Sequence, residues 1–355
     1  MATAAQPTVL QFRNYIGGEW VPASSGQTFA TRNPARFDEV AAEYPKASCD
    51  DARRAFEAAA RAFDGWRRVA APKRGEYLYR AAEWLAARAD QIAAEMTREE
   101  GKTFKEAKAE TVRAINIFRY FAGEGSRMAG ETVPSERDQV FCFTIRKPRG
   151  VVSLITPWNF PIAIPAWKMA PALVCGNTVV IKPASLAPAC ALRLVEALDA
   201  AGIPPGVINL LTGPGPTVGE EMLANEHVRA ISFTGSCAVG NHVYQRAAPR
   251  KIPAQLEMGG KNPTIVCADA DLDYAAATVL NAAFFSTGQK CTATSRAIVE
   301  RPVYDHFSEL LVEKTKKMKV GDGMDPTVDM GPCVDENQMN TVLEYIELGK
   351  REGCL

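Results

Sequence analysis

Three separate segments of this chain carry the side-chain types that covalent chemistry on a carbonyl requires. Cys291 lies in Phe285-Ser286-Thr287-Gly288-Gln289-Lys290-Cys291-Thr292, Glu257 in Leu256-Glu257-Met258-Gly259-Gly260, and Asn159 in Thr156-Pro157-Trp158-Asn159-Phe160-Pro161. A thiolate adds to a carbonyl carbon, a carboxylate deprotonates water, and an amide N–H holds an oxygen that acquires charge. Each also has an ordinary explanation: a buried thiol, a strand-end carboxylate before a glycine turn, and a turn asparagine before proline. Lys290 is the cation nearest the thiol in sequence, and its neighbourhood there does not aim it at the sulfur.

To bring three such distant residues together, the chain must fold into a large framework. At 355 residues and 47% hydrophobic content it can bury a substantial core, and its length suggests two domains. Forty-one basic residues offset 41 acidic ones, so no net field draws nucleic acid or an anionic membrane, and small-molecule chemistry is favoured. Nine cysteines, at 49, 142, 175, 190, 237, 267, 291, 333 and 354, are scattered without a Cys-x-x-Cys pair, which points to reduced thiols and to no metal site. The N-terminus has no signal-peptide pattern and no long apolar span follows, so a cytoplasmic protein is expected.

From Asp50 to about Arg127 the periodicity is helical, in three stretches. Ala52, Ala55, Phe56, Ala59 and Phe63 mark the first, Tyr77, Leu78, Ala81, Leu85 and Ile92 the second, and Ala107, Val112, Ile115 and Phe118 the third, which stops near Gly123 and Gly125. After Pro148, short β-branched runs alternate with alanine-rich helical stretches: 151–155, 179–181, 207–211 and 231–233. That alternation implies a parallel sheet covered on both faces, with ligands at the carboxyl ends of its strands. The loops 156–161, 182–185, 212–219 and 234–240 all lie there. Gly213-Pro214-Gly215-Pro216-Thr217-Val218-Gly219 misses the dinucleotide fingerprint by one place and reads equally as a turn, whereas Phe233-Thr234-Gly235-Ser236 with Gly240 reads as a strand, a sharp turn and a helix start suited to a pyrophosphate. The stretch 139–147 alternates around Phe141, Phe143 and Ile145 and suggests a projecting hairpin open to another subunit.

Taken together and in order, these motifs resemble the aldehyde dehydrogenase superfamily, from Asn14-Tyr15-Ile16-Gly17-Gly18-Glu19-Trp20 to Gly331-Pro332. Asn159 to Lys168 together with Ser286 to Ala293 is most similar to the α-ketoglutaric semialdehyde (2,5-dioxopentanoate) dehydrogenases. The resemblance implies an α/β fold: a parallel-sheet dinucleotide-binding domain over 1–136 and 149–258, an oligomerisation hairpin over 137–148, and an incomplete α/β catalytic domain over 259–355. It implies NAD(P)-dependent oxidation of a semialdehyde to the acid, with Cys291 as nucleophile, Glu257 as general base and Asn159 as oxyanion donor. Trp158, Lys182, Ser185, Gly235, Ser236, Gly240 and Met258 fall where the family holds its cofactor. Ser185 replaces the glutamate often found there, and so lacks the charge that would repel a 2′-phosphate; NADP is favoured over NAD. Trp167 stands where relatives acting on succinate semialdehyde often carry arginine, which removes one carboxylate clamp. The alternatives are another aldehyde dehydrogenase, a thiol esterase or acylating enzyme on the same scaffold, and an inactive homologue. The expected partners are a small aldehyde and further copies of the chain, as a homodimer or homotetramer. Because the later Glu-x-Phe-Gly-Pro motif of the family is missing, the chain as given is expected to be incomplete at its C-terminus and unstable or inactive by itself.

Overall fold

A computed structural model describes residues 9–353; Cys354 lies outside them. The N-terminal segment forms five strands, β1 (Leu10–Gln11), β2 (Asn14–Ile16), β3 (Glu19–Val21), β4 (Thr28–Asn33) and β5 (Arg36–Pro45), of which β1, β5 and β4 make a separate three-stranded sheet. The helical region that follows holds four helices rather than three: α1 (Cys49–Trp66), α2 (Ala71–Ala86), α3 (Ala89–Glu100) and α4 (Phe104–Glu124). Ile92 therefore belongs to a different helix from Leu85. Apolar spacing carries no mark of the break, because both residues pack into the same core. Capping boxes at Ser48–Asp51 and Thr103–Glu106 fix the starts of α1 and α4. Gly125 ends α4 in right-handed conformation, and its need for glycine is spatial: a Cβ there would lie 2.5 Å from the Ala71 carbonyl oxygen.

After the short hairpin β6 (Thr132–Val133) and β7 (Cys142–Phe143), the chain alternates β8 (Val151–Ile155), α5 (Ala163–Val174), β9 (Thr178–Lys182), α6 (Ala189–Ala200), β10 (Ile208–Leu210), α7 (Glu220–Ala224), β11 (Val228–Gly235), α8 (Cys237–Ala247) and β12 (Ala254–Met258). The resulting sheet runs β12-β11-β8-β9-β10-β2-β3, parallel from β12 to β10 and closed at one edge by the antiparallel β2–β3 hairpin. Successive side chains face opposite layers: Val179 and Ile181 enter the core with α5 and α6, while Val180 joins Phe56 of α1 and Met222 of α7 on the other side. Full burial of a side chain such as Phe56 contributes about 1.5–3 kcal/mol. The strand order reverses between β8 and β11, so the crevice beyond their carboxyl ends is where such a sheet accepts a ligand.

A smaller α/β unit follows, with β13 (Asn262–Val266), α9 (Leu272–Phe284), β14 (Thr294–Val299), α10 (Tyr304–Lys316) and α11 (Glu336–Arg351). β13 and β14 pair in parallel; Val266, Ala276, Val279 and Phe307 pack on one side, and Ile265 and Ile298 stand exposed. The hairpin leaves Phe141, Phe143 and Ile145 exposed, its two phenyl rings 5.5 Å apart. Among the described residues no helix is long and apolar enough to cross a membrane.

Candidate active site

Asn159 sits in the loop between β8 and α5, and a buried ion pair holds that loop from below. Lys102, between α3 and α4, donates from Nζ to the Asn159 carbonyl at 2.8 Å and to Glu110 of α4 at 2.6 Å, with the Phe160 ring 4.7 Å away. The other oxygen of Glu110 accepts from the amides of Ile162 and Ala163 at 3.1 and 3.0 Å, at the start of α5. Burial alone would strip the Lys102 ammonium of its proton, but Glu100 and Glu110 hold its pKa above the usual lysine value. Burial likewise pushes Glu100 up to about 7, against the opposing pull of Lys102.

The thiol segment is pinned at several points. Ser286 and Thr287 adopt left-handed φ of 54° and 56°, conformations that cost non-glycine residues about 1–3 kcal/mol each. Glu106 of α4 accepts from the Ser286 amide at 2.7 Å, and the Thr287 hydroxyl donates to the Gly331 carbonyl at 2.9 Å. Downstream, the Asn262 amide donates to the carbonyls of Cys291 and Ala293 at 2.6 and 3.1 Å. The Cys291 side chain stays exposed on the turn between. Lys290 points to the Asn281 carbonyl, 3.5 Å away, and away from the role of thiol activator.

Glu257 lies near the end of β12, opposite Thr234 of β11. It lines a cavity of about 540 Å³ with Cys291, Trp167 and Lys168. Asn159 reaches this grouping through the backbone: its side-chain N–H donates to the Gln289 carbonyl at 2.8 Å, two residues before the thiol, and its buried Oδ1 has no hydrogen-bond partner among the described residues. The carboxylate and the sulfur thus share a cavity, and the amide is tied to the thiol segment while already engaged by a carbonyl.

The residues expected to face a dinucleotide gather at the carboxyl ends of the parallel strands. Lys182 closes β9 buried, its Nζ donating to the Pro183 carbonyl at 2.8 Å, and desolvation lowers its pKa to about 8. The Ser185 hydroxyl donates to the Gly213 carbonyl at 3.0 Å, joining two of the crevice loops. Ser236 caps α8 by accepting from the Val239 amide at 3.3 Å. A Cβ at Gly235 would meet the Phe233 ring at 2.5 Å, and one at Gly240 would lie 2.5 Å from the Met258 sulfur and displace that flexible side chain. Their first function is therefore packing of the turn that presents the α8 N-terminus. Trp158 is half-buried in the Asn159 loop. Gly215–Gly219 forms a π-type turn leading into α7.

Sequence reasoning passed over Lys102, Glu106, Glu110, Lys168 and Gln255. The first three lie in or beside helical stretches where charged residues read as solvent-facing, and the loop backbone they hold sits more than fifty residues away; the capping box at Thr103–Glu106 was the one local signal.

The model of the "Aldehyde dehydrogenase family" matches residues 20–355. The chain is 48% identical over 343 residues to the alpha-ketoglutaric semialdehyde dehydrogenase of Bacillus subtilis, covering 97% of this chain and 70% of that protein. It is 44% identical to the 2,5-dioxopentanoate dehydrogenase of Saccharolobus solfataricus, covering 96% and 71%. Among solved structures, 3,6-anhydro-L-galactose dehydrogenase in complex with NAP aligns with a TM-score of 0.93 at 38% identity, covering 97% and 72%. The betaine aldehyde dehydrogenase of Staphylococcus aureus in complex with NAD+ aligns at 0.95 and 36%, covering 97% and 68%. With its sheet order, its crevice and nearly all of its length in agreement, the chain belongs to the aldehyde dehydrogenase family.

Proposed function

We propose that the protein oxidises a small semialdehyde, of the 2,5-dioxopentanoate type, to its carboxylic acid with NADP or NAD as acceptor. The observation that carries this reading is the cavity shared by Cys291 and Glu257, which runs along the sheet face from Val152 and Ala230 to the end of β12, with the Asn159 loop bound to the thiol segment. The cysteine thiolate adds to the aldehyde carbon, and the oxygen that gains charge is met by the Asn159 side chain once it leaves the Gln289 carbonyl, and by the backbone N–H of Cys291. When bound, the dinucleotide supplies a hydride acceptor. Glu257 then deprotonates a water that attacks the Cys291 thioester, the C–S bond breaks, and acid and thiol are released.

The crevice suits such a cofactor. Lys182 is a buried cation whose one partner among the described residues is its neighbour's carbonyl, and the first amides of α8 lack intrahelical acceptors. Lys182 and Ser185 would face the ribose, Ser236 and Gly240 the pyrophosphate, and Trp158, Gly235 and Met258 the remaining walls. Ser185 sets no carboxylate against a 2′-phosphate, which supports NADP. The described residues before β6, with 149–258, are assigned to the cofactor domain and those after β12 to the catalytic one; the hairpin opens at β6 (Thr132–Val133) rather than at 137, and its exposed Phe141 and Phe143 suit a homodimer or homotetramer contact.

Rapid mixing with 2,5-dioxopentanoate and either cofactor tests the reading. Cys291→Ala should give no reduced cofactor, and Glu257→Gln one burst followed by stalled turnover. Full turnover without a burst in the Glu257 variant would remove it as the base.

A further inference from the structure

The water-activating carboxylate does not stand alone in its cavity. Gln255 and Glu257 are two apart on β12 and so project from the same face. The register of β11 sets Ser232 opposite Gln255, and Lys168 reaches over both from α5. Lys168 Nζ lies 2.6 Å from the Ser232 hydroxyl and 3.2 Å from Gln255 Oε1; Ser232 also bonds to Gln255 Oε1; and Gln255 Nε2 donates to Glu257 Oε1 at 2.9 Å. Every bond in this series points the same way, from ammonium through hydroxyl and amide to carboxylate.

The direction is enforced. An ammonium has donors alone, so Lys168 must receive the oxygen end of the Gln255 amide, and Ser232 adds a second donor to that oxygen. Turning the amide over would set its N–H group against the Lys168 ammonium, so the end that faces Glu257 is the donor. The amide thereby engages Glu257 Oε1 and leaves Oε2 for a water. Gln255 is exposed on the cavity wall, so this series contributes little to holding the fold.

Resting on the hydrolytic reading above, we propose that Gln255 is a positioning residue for Glu257, held in its working orientation by Lys168 and Ser232, and that it acts on thioester hydrolysis rather than on attack by Cys291. Hydrolysis of p-nitrophenyl acetate isolates the two steps without a cofactor. The sulfur bonds to the acetyl carbon as nitrophenolate departs in a burst; water then attacks, its proton passes to Glu257, and the C–S bond breaks to give acetate and thiol. Gln255→Met should leave burst rate and amplitude as in the parent and slow the second phase about tenfold, a fraction of the 10²–10⁴ typical of a general base. Gln255→Asn, one methylene shorter, should do the same. Ser232→Ala should slow it in the same sense, and combining it with Gln255→Met should add no further loss, since both interrupt one series. Unchanged second phases, equal loss in both phases, or fully additive losses would overturn the proposal. A parent protein that shows no burst, or a Cys291→Ala variant that keeps one, would instead remove the reading on which it rests.

Discussion

Lys182 presents the sharpest test of how the crevice is built, because in the free protein its charge is unfavourable. Burial lowers the ammonium pKa from 10.5 to about 8, which corresponds to about 3 kcal/mol against the charged form at neutral pH. Lys182→Met removes that term and forfeits the bond to the Pro183 carbonyl, about 1–2 kcal/mol, for a net stabilisation of about 1–2 kcal/mol at pH 7. The pH dependence has a definite sign. Between pH 8 and 10.5 the unfolded chain binds more protons at this lysine than the folded one, so the parent gains stability as pH rises through that window and the variant does not. Denaturation midpoints at pH 7 should favour the variant, its advantage should vanish at about pH 9, and by about pH 10.5 the parent should be the more stable by about 1–2 kcal/mol. Titration calorimetry with NADP should show weaker binding by the variant. Parallel pH curves for the two proteins, or a variant less stable at pH 7, would refute the account of a desolvated cation awaiting an anionic ligand.

Asn159→Ala should lower the rate of aldehyde oxidation by about 10²–10³, with a fall of about 1 kcal/mol in unfolding free energy from the lost bond to the Gln289 carbonyl, read by stopped flow and denaturation. Ser185→Glu should shift the ratio of kcat/KM for NAD over NADP upward at least about tenfold, the equivalent of about 1.4 kcal/mol, as the new carboxylate repels a 2′-phosphate. Replacing Phe141 and Phe143 together by serine should reduce the mass measured by light scattering to that of a smaller species, while the circular dichroism spectrum is retained.

The parallel sheet was legible because Val151–Ile155 and Thr178–Lys182 are β-branched runs buried on both faces, a pattern that few alternatives produce. Cys291, Glu257 and Asn159 stand out in the sequence through the family motifs they sit in, since the glycines and prolines around Glu257 and Asn159 read by themselves as ordinary turns. The β1-β5-β4 sheet was not, since Arg36–Pro45 is exposed at its start and buried at its end, without regular alternation. The supporting charges were hidden for a different reason. Whether Glu110 faces water or an ammonium depends on where Lys102 and the Asn159 loop arrive in space, and helical spacing carries no record of that.

That same buried pair constrains how the sequence can drift. One ammonium serves a carboxylate, a main-chain oxygen and an aromatic face in a buried interior, so a neutral substitute at Lys102 would leave the buried Glu110 charge only the Ile162 and Ala163 amides, and a neutral Glu110 would leave Glu100 as the carboxylate paired with Lys102. Substitution at either position is tolerable only as a concerted replacement. Divergence among descendants of this chain should accordingly run freely over the helix surfaces and halt at these two residues, which hold the backbone of Asn159 from beneath.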